Sequence, residues 1–310
     1  MKYQAILKMN DSVLKTFDKY FVQISSLLLT IIAIIGNSLV FYILTRPKFI
    51  KESIFRYFIA SEIVASVKVI VLWIYSIPNF INWKVTDMYC KLFMWIVFVS
   101  YDLYPWVSVI NSIDRYVSLK YPSRFVWRKQ IKFQSLTIIS IIIFLVLINS
   151  IRFFYSIPSP ISVCQLATAE IGFYVNLANM LISSVVPFLI MLISAVLIVY
   201  HLISQKLKLQ QNAQNYSREK IFIRSTLVMN FWFLICYSPF CITLFLQYVL
   251  DFNNIDPNVW KLILDSTIIL SFCETSCNFF IHFSCNKLFR NYFLSMFGCC
   301  RRRNSNSENS

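Results

Sequence analysis

The chain has 310 residues, 58% of them hydrophobic and only 14% charged, with a mean hydropathy of +0.63 and a net charge of +15. A soluble domain carries roughly 25% charged residues, so that class is excluded. Nine cysteines without a CxxC pair, two histidines and three glycines leave no ligand set for a zinc centre and little material for a phosphate loop or a hydrolytic triad.

Seven apolar stretches follow one another at 21–44, 54–77, 92–116, 133–151, 173–203, 221–249 and 260–283. Each approaches the roughly 20 residues that a helix needs to cross the hydrocarbon core. Backbone groups in lipid must be satisfied within the segment, so these stretches read as helices. The expectation is an all-α membrane protein: an N-terminal segment 1–20, a seven-transmembrane helix bundle over 21–283, and a tail over 284–310. Residues 1–20 are polar and mixed in charge, with no apolar core before a cleavage site, so the first span is expected to serve as its own insertion signal.

The basic residues give the orientation. Arg46, Lys48 and Lys51 follow the first stretch, Lys120, Arg124, Arg128, Lys129 and Lys132 the third, and Lys206, Lys208, Arg218, Lys220 and Arg224 the fifth. Lys287, Arg290 and Arg301 to Arg303 extend the same side into the tail. That side is read as cytosolic, with the N-terminus outside the plasma membrane. The positive charge then reflects membrane topology, and no nucleic-acid partner is expected.

Asp114-Arg115-Tyr116 stands at the cytoplasmic end of the third stretch. An acid–base pair at a membrane edge is costly and marks function. Other signals fall in order around it: Gly36-Asn37 in the first span, Cys90 at the start of the third, Cys164 in the next outer loop and Pro187 in the fifth. Phe233 and Cys236-Tyr237-Ser238-Pro239 lie in the sixth, and Asn278-Phe279-Phe280-Ile281-His282 in the seventh.

In this order and spacing the set resembles the rhodopsin-like (class A) G-protein-coupled receptors over nearly the whole chain. The resemblance implies a non-enzymatic receptor that binds an extracellular ligand and activates a heterotrimeric G protein. It implies a disulfide between Cys90 and Cys164, pinning the outer loop above the third span. Asp114, Arg115 and Tyr116 become the coupling motif, with Glu219 at the inner end of the sixth span as the resting-state partner of Arg115. Pro187, Phe233, Tyr237, Pro239, Asn278 and His282 form the activation core. Tyr237 replaces the usual tryptophan, and Phe279 and His282 replace a proline and a tyrosine, so the seventh span is expected to be straighter than usual.

Glu62 and Glu274 are acids inside the bundle and are not both ionised cheaply without a cation or proton between them. The resemblance implies a sodium pocket of Asn37, Glu62, Asn111, Glu274 and Asn278. The alternatives are a shared proton or a hydrogen-bonded polar core without an ion. No organic cofactor is expected. Val97 stands where amine receptors have an acid, and Phe272 where opsins have a lysine, which argues against a biogenic amine and against a retinal pigment. Lys68, Tyr101, Asp102, Trp260 and Asp265 join Val97 as candidate ligand contacts, the alternative for Lys68 and Asp265 being pairing with neighbouring polar groups.

Leu288, Phe289, Tyr292, Phe293 and Met296 recur at helical spacing, which predicts a short amphipathic eighth helix on the inner membrane face. Cys299 and Cys300 beside Arg301 fit palmitoylation, and Asn10-Asp11-Ser12 is a glycosylation sequon. The seventh-span run from Thr275 to Phe283, with Phe289-Arg290, is similar to invertebrate neuropeptide receptors of the FMRFamide type and to nematode chemosensory receptors. A peptide or a small-molecule ligand both follow from this, as does a receptor that binds without signalling. A transporter would show related halves and broken glycine-rich spans, which this chain does not.

Overall fold

The computed structural model describes residues 2–50, 53–81, 85–121, 127, 130–158, 164–206, 213–249 and 257–296. Its helices are α1 (Lys2–Leu44), α2 (Pro47–Ile50), α3 (Ser53–Ile81), α4 (Asp87–Lys120), α5 (Ile131–Tyr155), α6 (Ala169–Met180), α7 (Val186–Lys206), α8 (Ala213–Val249), α9 (Pro257–Ser276), α10 (Asn278–Cys285) and α11 (Lys287–Met296). Six segments are long and apolar enough to cross a membrane, and the bent pair α9–α10 supplies the seventh. α1 runs without a break from Lys2, so residues expected as a separate N-terminal segment continue the first helix, and its membrane-crossing part is Tyr20–Leu44.

The distribution of side chains inverts that of a soluble protein. α5 exposes Leu136, Ile139, Ile143, Leu147 and Phe154 along one face, at helical spacing, while Asn149 and Arg152 on the other face are buried. Apolar residues meet lipid and the polar ones turn inward, where they find partners. A central cluster of Val64, Tyr101, Tyr104, Met191, Phe233, Tyr237 and Phe240 packs the middle of the bundle.

Local sequence sets the helix ends. Thr86 caps α4, its hydroxyl accepting from the Tyr89 amide at 3.3 Å, and Asp87 complements the dipole in the first turn. Thr168 caps α6 in the same way through the Ile171 amide. Between α6 and α7, residues Leu181–Val185 form a single π-helical turn. Pro187 follows two residues after it and lacks the amide that an α-helix would aim at Ser183, so the wider turn absorbs the proline within one continuous span.

The expectation of a straighter seventh span is not met: α9 and α10 meet at 44°. No proline is needed for the bend. Thr275 Oγ1 donates to the Phe272 carbonyl at 3.1 Å, and Ser276 Oγ donates to the carbonyls of Phe272 at 2.9 Å and of Leu29 in α1 at 3.0 Å. Hydroxyls that bond back to the preceding turn bend helices. Trp232 Nε1 of α8 also donates to the Cys273 carbonyl at 3.3 Å, drawing on the backbone just above the break.

Gly36 explains how closely α1 and α10 approach. A Cβ at this position would lie 3.1 Å from Phe279 Cβ. Gly36→Ala is expected to be tolerated with a small loss of thermal stability, whereas Gly36→Leu overpacks the contact at about 1–3 kcal/mol. Melting curves of the two purified variants check this, and equal stability would remove the close-approach role.

The amphipathic helix is present as α11. Asn286 caps it, its side-chain oxygen accepting from the amides of Leu288 and Phe289, each at 3.1 Å. Phe289 is completely buried, and Tyr292 packs edge-on against Phe49 of α2 with centroids 5.6 Å apart, which ties α11 to the C-terminal end of α1, to α2 and to the N-terminal end of α3. Asn286→Ala is expected to destabilise the first turn of α11 by about 1 kcal/mol. Faster hydrogen exchange at the Leu288 and Phe289 amides is the measurement.

Candidate functional site

The polar centre of the bundle is built from α1, α3, α4, α9 and α10. Lys68 Nζ donates to Glu274 Oε2 at 3.1 Å, and both side chains are sealed from solvent. Three aromatic rings surround the same ammonium, with centroids at 4.5 Å for Tyr101 and 5.3 Å each for Tyr104 and Tyr237. Desolvated cation–π contacts of this kind reach about 2 kcal/mol. Breaking a buried pair by removing one partner costs about 3–5 kcal/mol, because the charge left behind is uncompensated.

Glu62 lies one layer below. Asn278 Nδ2 donates to its Oε2 at 3.4 Å, and Tyr104 Oη donates to Asn278 Oδ1 at 3.2 Å. With the Asn37 amide turned so that both its atoms are satisfied, its nitrogen reaches Glu62 Oε2 at 3.0 Å and the Thr275 carbonyl at 3.2 Å. His282 Nε2 faces Glu62 Oε1 at 3.6 Å, and its ring stands edge-on to Phe58 at 5.0 Å. The histidine that departs from the usual motif is therefore buried against an acid. Tyr101 Oη is hydrogen-bonded to Ser271 Oγ, whose own proton goes to the Ile268 carbonyl, which makes the tyrosine the donor.

The residues named for a sodium pocket do not fit a bare metal ion in this arrangement. Lys68 already occupies Glu274, Asn37 and Asn278 donate nitrogens to Glu62, and Asn111 Oδ1 accepts from Arg115 Nε at 3.4 Å. Among the described residues, no group of three or more His, Cys, Asp or Glu side chains could hold a metal.

Toward the C-terminal end of α4, Asp114 and Arg115 are both buried, and the Arg115 guanidinium lies 5.8 Å from the Phe58 ring centroid. Tyr116 Oη accepts from Lys120 Nζ at 2.8 Å. Glu219 falls on the helical backbone of α8, but its side chain lies outside the described residues, as does that of Asn10 on α1. Cys299 and Cys300 lie outside them altogether.

At the other end of α4, Cys90 and Cys164 form the expected disulfide, with Cα atoms 5.5 Å apart. Cys164 opens a strand, Cys164–Leu166, that pairs antiparallel with Ser156–Pro158 in the register Ser156↔Leu166, Ile157↔Gln165 and Pro158↔Cys164. Sequence reasoning gave this outer loop without its hairpin. Two strands of three residues each are too short for their alternation to carry a strand signal.

Two candidate ligand contacts are engaged inside the bundle. Lys68 belongs to the pair described above. Asp102 turns toward α5 and the π-helical turn: Asn149 Nδ2 donates to its Oδ2 at 2.8 Å, and Ser183 donates to its Oδ1. Val97 and Tyr101 are buried on α4, while Trp260 and Asp265 are half-buried on α9. Phe233 stacks on Tyr237 with centroids 5.0 Å apart, which places this aromatic pair beside Lys68, and Pro239 lies two residues beyond Tyr237 inside α8. Trp232, Ser271, Tyr104 and Asn149 are the partners that sequence reasoning missed. The signal available was their polarity within apolar spans.

No individual curated protein matches the chain significantly. The family model of the 7 transmembrane receptor (rhodopsin family) does match, over residues 36–282, from Gly36 in the first span to His282 in the seventh. With the bundle, the disulfide and the α4 motif in their places, the chain belongs to the rhodopsin family of seven-transmembrane receptors, a family of signalling receptors without enzymatic activity.

Proposed function

We propose that this receptor binds a short extracellular peptide and activates a heterotrimeric G protein through the inner end of α4, with its N-terminus outside the plasma membrane and its tail in the cytosol. The observation that carries the coupling role is the burial of Asp114 and Arg115 at one end of α4, while the Cys90–Cys164 disulfide closes the other. Disulfides persist on the oxidising side of a membrane, and this supports the orientation that the basic loops suggest. A hairpin held over the bundle mouth gives an extended peptide backbone a polar edge to meet. The charged side chains in the upper bundle, Lys68 and Asp102, are engaged with protein groups. That moves recognition toward the rim of the bundle, and so favours a ligand larger than a single charged metabolite.

In this reading the ligand biases an equilibrium between two arrangements of α8 relative to α4. Glu219 holds Arg115 in the resting arrangement, and its release opens the inner end to the G protein. The experiment is nucleotide exchange in cells expressing the receptor, challenged with a pool of short amidated peptides and, separately, with a pool of small volatile and polar metabolites. A response confined to the peptide pool supports the proposal. A response confined to the metabolites replaces it with a chemosensory receptor. Saturable peptide binding without exchange replaces it with a receptor that binds and does not signal.

A further inference from the structure

The centre of a membrane bundle must balance its own charge, because burial strips each ion of solvent and leaves only protein groups to compensate it. Among the described residues, four ionisable side chains meet between α3, α9 and α10: Glu62, Lys68, Glu274 and His282, none more than 2% exposed. Glu274 is paired with the Lys68 ammonium, and Glu62 faces the His282 imidazole. The two carboxylates are coupled through Tyr104 and Asn278, whose side chains bridge the space between the Lys68 cage and Glu62. One oxygen of each, Glu62 Oε1 and Glu274 Oε1, receives no hydrogen bond from any described residue.

We propose that Lys68 is a tethered cation, whose ammonium balances Glu274 permanently, so that the receptor's stability does not depend on sodium and loss of the ammonium converts the core into a sodium site. Among the described residues, the ammonium has Glu274 as its one hydrogen-bond partner. It is sealed from solvent, directed at one carboxylate oxygen at 3.1 Å, and faced by three tyrosine rings. A lysine is suited to this place because its flexible stem carries a compact point charge to a site about two turns along α3 from Glu62. With that charge removed, two buried carboxylates with spare acceptor oxygens remain beside aromatic walls. Monovalent metal ions are ligated by such oxygens.

The test is the melting temperature of purified, ligand-free receptor in detergent, in sodium chloride and in N-methylglucamine chloride at equal ionic strength. Wild type is expected to melt at the same temperature in both. Lys68→Met is expected to gain several degrees in sodium, with a saturable dose dependence, and Lys68→Met/Glu274→Gln to gain nothing. Saturable stabilisation of wild type by sodium overturns the proposal, as does a sodium response in Lys68→Met no larger than in the double variant. If Lys68→Met is not recovered folded, the double variant decides. Its recovery shows that the ammonium is needed only to balance Glu274, and its failure assigns Lys68 to packing and overturns the proposal. Neither ligand identity nor G-protein coupling enters the measurement.

Discussion

Arg115→Ala is expected to lower ligand-stimulated nucleotide exchange by about 10- to 100-fold, the range that allosteric coupling free energies of about 1–3 kcal/mol support. The amount of receptor at the cell surface is expected to stay near that of wild type. Among its contacts, the hydrogen bond from Arg115 Nε to Asn111 Oδ1 is long, at 3.4 Å. What alanine removes is the one planar, permanently charged fork in Asp114-Arg115-Tyr116, at the end of α4 that faces the G protein in the proposed orientation. Arg115→Lys is expected to lose most of the response as well, because an ammonium does not reproduce the flat, delocalised face that lies near the Phe58 ring. Glu219→Ala should act in the opposite sense and raise basal exchange, since in the proposed mechanism it removes the acid that holds the resting arrangement. Cell-surface labelling alongside the exchange assay separates the two effects. An Arg115→Ala receptor at normal surface density with a wild-type response ends the assignment of α4 as the coupling element.

The spans were legible because length and hydropathy are local properties, and lipid forces each stretch to be a helix. The Asp114-Arg115-Tyr116 motif was legible from its place at the end of the third span, and the Cys90–Cys164 pair through the family resemblance. The partnerships were not. Lys68 and Glu274 are separated by 206 positions, and nothing in either neighbourhood says which of several buried acids the ammonium will choose. Asp102 likewise meets Asn149 and Ser183 on elements whose azimuth about their axes is set only by packing. The seventh-span bend was misread for a different reason. A missing proline was taken as a missing bend, but Thr275 and Ser276 supply the backbone competition through their hydroxyls. His282 shows the same lesson in reverse: a departure from motif is buried against Glu62, at 3.6 Å, which the motif alone does not say.

Cys90→Ser is expected to destabilise the receptor by about 2–4 kcal/mol and to remove much of it from the cell surface. The bond joins residues 74 positions apart, and for a freely unfolding chain a loop of that length corresponds to about 4–5 kcal/mol of closure entropy. The lower range applies because α4 and α5 remain helical in the bilayer even when the bundle comes apart, so the reference state has less freedom to lose. Cys164→Ser and the double variant should match the single variant, since each removes the same bond, and this equality separates the disulfide from the packing of either sulfur with Met94 and Phe98. The hairpin itself should survive: its pairing from Ser156↔Leu166 to Pro158↔Cys164, and the Ala167 amide bond to the Tyr155 carbonyl at 2.8 Å, do not pass through the sulfurs. Its position over α4 should not. Ligand affinity is therefore expected to fall by more than the thermal loss alone accounts for, because a binding edge that swings must be ordered again each time the ligand arrives. Dithiothreitol on wild type should reproduce both losses. A reduced receptor with unchanged melting and unchanged affinity would mean that the hairpin is held by its contacts with α4 and α6, and that the covalent tether is redundant in the folded state.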